Sequence, residues 1–118
     1  MGIAVAMAAP AQKTKRAAEF GTWAETPPMG WNSWDCYGPT VVEDEVVANA
    51  DYMADQLKEF GWEYVVVDIR WYVDNDKSHG YNEKDPAFVM DAYGRFLPST
   101  VRFPSAAEGL GFKPLADY

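Results

Sequence analysis

The residue best placed for chemistry is Asp68, because it follows the apolar run Tyr64–Val67 directly. The stretch Tyr64–Trp71 predicts a strand that is covered on both faces, as in a parallel sheet, and that ends on a carboxylate. In βα architectures ligand sites collect at the carboxyl ends of strands, so Asp68 is a candidate binding residue. The alternative is that Asp68 only caps the strand or pairs with Arg70.

Aromatic residues are concentrated at the ends of the predicted strands. They make up 15% of the chain and include five tryptophans and seven tyrosines. Such rings bury apolar area while keeping a polar tip, and they often line pockets that hold flat or sugar-like ligands. Rings that only fill a core would be spread more evenly. The residues next to strand ends are Trp31, Trp34, Tyr37, Trp71 and Tyr72.

Composition excludes several classes of protein and site. The 118 residues suffice for one small globular domain, and a net charge of −8 argues against nucleic-acid or anionic-membrane partners. Cys36 is the single cysteine, which excludes an internal disulfide and a thiolate zinc site. The one histidine, His79, lies in a polar loop without a second ligand nearby. No membrane insertion, metal or cofactor is expected, and the oligomeric state is left open.

The elements that position Asp68 form a strand–helix–strand unit. Met29–Trp34 predicts the first strand and its exit turn after Pro27-Pro28. Thr40 is the predicted helix N-cap, with Glu43 at the capping-box spacing, and Gly61 is the predicted stop. Since the Tyr64 strand follows this helix, the two strands are expected to run parallel. The apolar stripe of the helix comprises Val42, Val46, Ala50, Met53 and Leu57.

The segment after Trp71 predicts a hairpin and then a second helix. Phe88–Met90 and Arg95–Leu97 are expected to pair across a turn with Asp first and Gly fourth. Phe112–Tyr118, with Pro in its first turn, predicts the beginning of a helix. Because a helix of one turn cannot cover a sheet, we expect the chain to be the front of a larger protein, with uncovered edges that favour aggregation.

The amino-terminal residues predict a leader rather than part of the domain. Ile3–Pro10 is a short apolar run, but the basic residues follow it instead of preceding it. The hypothesis is a truncated signal and a secreted or periplasmic location. The predicted organisation is therefore a signal remnant and irregular lead-in over 1–26 and a partial barrel domain over 27–118.

Several stretches in order resemble glycoside hydrolase family twenty-seven, the α-galactosidases or melibiases. Any one of them alone is weak, but together at compatible spacing they are specific, and the match covers Thr26–Tyr118. The stretches are Thr26–Trp34, which resembles the opening signature, Gly61–Asp68, which resembles the second strand, and Asp91–Arg95, Arg102–Pro104 and Leu115–Tyr118, which resemble the lead-in to the second helix.

The resemblance implies the amino-terminal part, about two βα units, of a (β/α)8 barrel of the TIM type. It implies retaining hydrolysis of terminal α-glycosides by two aspartates from later strands, so no catalytic residue is expected in this chain and the chain alone should be inactive. Trp34 resembles the tryptophan that packs on the sugar, and Asp68 resembles an aspartate that binds sugar hydroxyls. Trp71 is the third substrate-binding candidate. A core position is the alternative for Trp34.

The chain departs from the family pattern at two positions. Ile69 stands where galactosidases carry a second aspartate, and isoleucine cannot accept a hydroxyl hydrogen bond. Arg70 stands where animal members have a disulfide cysteine. An α-galactoside or oligosaccharide is the leading substrate class, with another α-glycoside or an arabinopyranoside left open.

The competing function is a stand-alone carbohydrate- or partner-binding module, and an unrelated doubly wound domain is disfavoured by the missing nucleotide fingerprint.

Overall fold

The computed structural model describes Trp23 and residues 25–77 and 80–118. Residues 1–22 of the predicted lead-in over 1–26, and His79, lie outside the described residues. The regular elements, in chain order, are β1 (Met29–Asn32), α1 (Ser33–Tyr37), α2 (Glu43–Gln56), β2 (Trp62–Val66) and α3 (Lys113–Asp117).

The centre of the fold is a two-stranded parallel sheet. β1 and β2 run in the same direction, with Gly30 opposite Tyr64 and Asn32 opposite Val66. α2 is the crossover between them, which confirms the predicted strand–helix–strand order. Together with α3 this makes about two βα units. The structure shows these two strands, and the predicted eight-stranded barrel stays a prediction.

The prediction for β2 is wrong in extent and in burial. The strand spans Trp62–Val66 and ends two residues before the predicted end at Asp68, and its faces are open, with Tyr64 55%, Val65 39% and Val66 43% exposed. The helices α2 and α3 flank one face and leave a groove of about 550 Å³ beside Val65. No described element covers the face of Tyr64 and Val66. The apolar run of β2 therefore indicated a strand that requires packing partners on both faces, but the described residues leave both faces partly exposed.

The predicted start of α2 is also wrong by two residues. Val42, in extended conformation, is the N-cap, and its N–H donates to the Glu45 carboxylate at 2.9 Å. The Thr40 hydroxyl instead donates to the carbonyl of Tyr37 at 3.0 Å. At the other end the helix passes into a 3₁₀ turn that Gly61 ends at a φ of 87°, as predicted.

The core lies between α2 and the segment before α3. Val46 of α2 packs with Val41, Phe103 and Ala106, all of them at most 5% exposed. Met53, about two turns further along α2, is also buried, so the predicted apolar stripe faces inward. The half-buried residues around this core are Trp31, Tyr37, Val67, Trp71, Phe112 and Leu115.

The predicted hairpin is present, although it is too short to form named strands. The Asp91 N–H donates to the Arg95 carbonyl and the Leu97 N–H donates to the Val89 carbonyl, both at 2.9 Å. The Gly94 N–H closes the turn on the Asp91 carbonyl at 3.1 Å.

The longest described helix has 14 residues, and none of those described combines the length and hydropathy of a membrane-spanning segment.

Candidate functional site

The carboxylate of Asp68 lies at the point where both parallel strands end. Its Oδ2 accepts a hydrogen bond from the Asn32 side-chain amide at 2.9 Å, and its Oδ1 accepts from the Ile69 N–H at 2.6 Å. The Asp68 N–H donates to Ser33 Oγ at 2.9 Å, and Ser33 is 1% exposed. The half-buried carboxylate is thus fixed in place by residues of both strand ends.

Asn32 connects this carboxylate to Trp34. Its side-chain oxygen accepts the Trp34 N–H at 2.8 Å, which caps α1, while its amide nitrogen donates to Asp68. One side chain therefore sets both the first turn of α1 and the orientation of the carboxylate. The Trp34 ring is half-buried and stacks on Tyr81, with ring centroids 5.5 Å apart and planes at 28°. Trp31, not Trp34, is the tryptophan that β1 contributes to the core.

An ion pair between the half-buried Arg70 and the buried Asp76 lies next to Tyr81. Arg70 Nε and Nη2 each donate to the Asp76 carboxylate at 2.5 Å, and the Asp76 side chain is 0% exposed. The hydrogen bond to Asp76 raises the pKa of the Arg70 guanidinium. The alternative in which Asp68 pairs with Arg70 is therefore wrong, because the Arg70 guanidinium donates to Asp76 and to the Asn82 carbonyl instead. Arg70 has a φ of 72°, a left-handed conformation that is uncommon outside glycine and often marks a functional segment.

A second arginine ties the loops of the two strands together. Arg102 is buried, and its guanidinium donates to the carbonyls of Pro39 and Arg70. Burial lowers the pKa of Arg102, but a guanidinium stays protonated in proteins, so it remains a donor. Arg102 thereby ties the loop that follows α1, the helix of Trp34, to the loop after β2, which carries Asp68 and Trp71.

The third candidate, Trp71, packs away from this group. Its ring meets Tyr72 and Phe112 edge-on, at centroid distances of 5.0 and 5.3 Å. It also lines the apolar groove beside Val46 and Val65. Among the described residues no hydrogen bond or ring contact joins it to Trp34 or Asp68. The structure accounts for Trp71 by packing, and a contact with substrate stays a prediction.

Comparisons with known proteins point to one family. No protein-family model matches the sequence. A solved family twenty-seven β-L-arabinopyranosidase from Geobacillus stearothermophilus, in complex with arabinose, is 64% identical, with a TM-score of 0.77, over 81% of this chain and 22% of that one. The α-galactosidase I structure from Mortierella vinacea is 30% identical, with a TM-score of 0.58, over 82% of this chain and 20% of that one.

A curated relative gives the same answer. The α-galactosidase A of Cellvibrio japonicus is 36% identical over 103 residues, which are 86% of this chain and 20% of the relative. The chain belongs to glycoside hydrolase family twenty-seven. It spans about a fifth of the length of these three relatives, which are named as two α-galactosidases and a β-L-arabinopyranosidase.

Several residues of this family twenty-seven site were not identified as candidates from the sequence. Asn32 carried a usable signal, because it is a polar residue at the end of the first strand, and neighbouring parallel strands end at the same edge of the sheet. Tyr81 and Asp76 carried no such signal. They lie in the loop after β2, and only the folded loop brings them to Trp34 and Arg70.

Asp76 gives the family twenty-seven chain an acid-sensitive contact. Burial alone would raise the pKa of its carboxyl, but hydrogen bonds from Arg70 and the Asn82 N–H outweigh burial and hold the pKa below its usual range. A carboxyl with a lowered folded-state pKa stabilises the fold above its unfolded-state pKa of about 3.9, and that stabilisation is lost as the pH falls through the folded-state pKa.

We therefore expect acid to destabilise wild-type protein more than the Asp76→Asn variant. The variant lacks the titrating group, so its melting temperature should fall less steeply below about pH 4. Thermal unfolding followed by circular dichroism over a pH series measures both slopes. Equal slopes for the two proteins would show that Asp76 is not the group responsible.

Proposed function

We propose that the full-length protein, meaning the protein that contains this chain, hydrolyses terminal glycosides with retention of configuration. In this proposal Asp68, Asn32 and Trp34 form one wall of the sugar pocket. The observation that carries it is the Asp68 carboxylate fixed by Asn32 at two adjacent parallel strand ends. Its support is the 64% identity to a family twenty-seven glycosidase.

The carboxylate is suited to binding sugar hydroxyls. Each of its oxygens accepts one hydrogen bond from the protein, from Asn32 or from Ile69, and keeps further lone pairs. Hydroxyl groups of a sugar can donate to these lone pairs in charge-assisted hydrogen bonds. The Trp34 indole offers an apolar face for the C–H face of a pyranose. The geometry fits binding and orientation of a sugar.

The same geometry argues against a reacting carboxylate in this part of the site. Retaining hydrolysis uses two carboxyl groups about 5–5.5 Å apart, one as nucleophile and one as acid and base. Asp76, the other aspartate near Arg70, is fully buried and taken up by Arg70 and Asn82. We therefore assign Asp68 to substrate binding and place the reacting pair in the remainder of the full-length protein.

Ile69 favours a particular substrate class. It is 47% exposed and directly follows Asp68, at the position where the resemblance to galactosidases implies a second aspartate. L-Arabinopyranose has the ring of galactose without the exocyclic hydroxymethyl group, so it needs no acceptor for that hydroxyl. An apolar side chain here therefore fits a β-L-arabinopyranoside better than an α-galactoside, which is the leading alternative because many relatives are named α-galactosidases.

We expect kcat/KM of the full-length protein to favour nitrophenyl β-L-arabinopyranoside over nitrophenyl α-D-galactoside by about tenfold or more. The Ile69→Asp variant should move the ratio toward the galactoside by about tenfold, since a hydrogen bond to a charged acceptor contributes about 1.5–3 kcal/mol. Steady-state release of nitrophenol measures both ratios.

Two controls accompany this measurement. Ile69→Val keeps an apolar side chain and should keep the wild-type ratio. The 118-residue chain assayed alone should release no nitrophenol, because the reacting pair lies outside it. Turnover by the chain alone would contradict the assignment of Asp68 to binding, and an unchanged ratio in Ile69→Asp would remove the arabinopyranoside preference.

A further inference from the structure

The Trp34 indole is linked to the Arg70–Asp76 ion pair through the ring of Tyr81. Tyr81 stacks on Trp34 at 5.5 Å between centroids, and the Arg70 guanidinium lies over the Tyr81 ring at 5.0 Å from its centroid. Arg70 is in turn held by Asp76 through two hydrogen bonds of 2.5 Å. Four side chains thus form one continuous stack from the candidate sugar wall to the interior.

The backbone next to Tyr81 is held by the same ion pair. The Asn82 N–H donates to Asp76 Oδ1 at 2.8 Å, and the Asn82 carbonyl accepts from Arg70 Nη2 at 3.2 Å. The ion pair therefore fixes the backbone N–H and the backbone carbonyl of Asn82, the residue that follows Tyr81. Tyr81 lies in a loop and is 43% exposed, so without these contacts its side chain would have several rotamers open to it. The Tyr81 ring is thus held by two contacts, with the Trp34 indole and with the Arg70 guanidinium.

We propose that Tyr81, Arg70 and Asp76 are positioning residues that fix the Trp34 indole for stacking on a sugar, an inference that rests on the proposed function. Trp34 sits in a helix of only five residues, and among the described residues its ring stacks on Tyr81 alone. Without Tyr81 the indole can rotate, and a sugar must select the productive orientation. The effect falls on substrate affinity, because the three residues act through Trp34 and not on reacting atoms.

The test is a set of double-variant cycles in the full-length protein. Tyr81→Ala and Asp76→Asn should each raise KM about three- to tenfold, the range of an aromatic pair, and leave kcat within about twofold. Tyr81→Phe keeps the ring and should restore the wild-type KM. In a Trp34→Ala background the first two substitutions should have no further effect on KM. Tyr93→Ala is the control, because that tyrosine is 85% exposed and stacks with Arg95 instead.

The cycle separates positioning from other roles. If Tyr81→Ala raises KM equally with and without Trp34, then Tyr81 acts independently of the indole and the proposal is wrong. The Trp34→Ala variant alone tests the proposed function, since full activity there would remove Trp34 from the sugar wall. Failure of the two ideas is therefore distinguishable.

A second readout does not depend on turnover. Protein labelled with 5-fluorotryptophan gives a fluorine signal for Trp34, which Trp34→Phe identifies by its disappearance. Tyr81→Ala and Asp76→Asn should shift and broaden that signal, while the signal of Trp62 on β2 stays in place as the internal control. A Trp34 signal that neither substitution changes would overturn the proposal whatever the substrate is.

Discussion

Replacing Asp68 with alanine is expected to lower kcat/KM of the full-length protein by at least about a hundredfold. Two hydroxyl hydrogen bonds to a charged acceptor are lost, at about 1.5–3 kcal/mol each. The Asn32 amide also loses its acceptor, so the residue that caps α1 beneath Trp34 is left with one partner fewer. Steady-state kinetics with both nitrophenyl glycosides measure the loss, which should appear with each of them.

Two further variants show what part of that loss comes from the charge. Asp68→Asn keeps the shape of the side chain but removes the charge, so its loss should be smaller than that of alanine. Asp55→Ala removes an exposed carboxylate of α2 that lies outside the site and should leave kcat/KM unchanged. If Asp68→Ala kept wild-type activity while Trp34→Ala lost it, the carboxylate would have no role in the sugar wall.

The sequence was informative wherever a local pattern decides the structure. The apolar spacing of Val46 and Met53 is a property of one helix, and both side chains are buried as the pattern requires. The order of β1, α2 and β2 followed from the same local patterns, and a parallel pair then followed from the crossover helix. Asp68 was selected as a candidate because ligand sites collect at the carboxyl ends of strands, and its role in binding stays a prediction.

Distant contacts decided the features that were predicted wrongly. α2 starts after Val42 rather than Thr40 because the Glu43 N–H donates to the Arg102 carbonyl at 2.9 Å and the Glu43 carboxylate accepts from the Ser105 N–H at 2.9 Å. Both partners lie some sixty positions further along the chain. Glu45 also accepts the Val42 N–H at the capping-box spacing, but valine has no side-chain acceptor, so residue types alone favoured Thr40 as the N-cap.

The positioning stack could not be read from the sequence for a similar reason. Arg70 stands two residues from Asp68, and proximity in sequence favours that pair over Asp76. The left-handed φ of Arg70 turns the chain so that the guanidinium meets Asp76 and Tyr81 instead. A positive φ at a residue other than glycine is uncommon, so no pattern of residue types predicts it. The candidate carboxylate could therefore be predicted from its position after a strand, whereas the side chains of the stack are brought together only by the folded chain.

Gly30 is where the two strands that carry the site come closest. A Cβ at Gly30 would lie 2.1 Å from the Tyr64 carbonyl oxygen and 2.7 Å from the Tyr64 Cβ. Neither atom can move aside as the end of a long side chain does. The strand register also shifts between Met29 and Gly30, at the same step. A methyl group here must push β1 away from β2, and Asn32 and Asp68 lie a short way further along the same strands.

We therefore expect Gly30→Ala to lower the free energy of unfolding by about 3 kcal/mol, near the upper end of the range for overpacking. Gly61→Ala is the matched control, since its Cβ would meet nothing within 4 Å but its φ is 87°. It should cost only about 1 kcal/mol, from backbone strain alone. Urea denaturation of the full-length variants measures both. Gly30 has no positive φ, so its cost should come from the close approach of the strands and not from backbone strain. Equal costs at the two positions would mean that β1 can move away from β2 freely. The spacing between Asn32 and Asp68 would then not be fixed, which would contradict the proposed sugar wall.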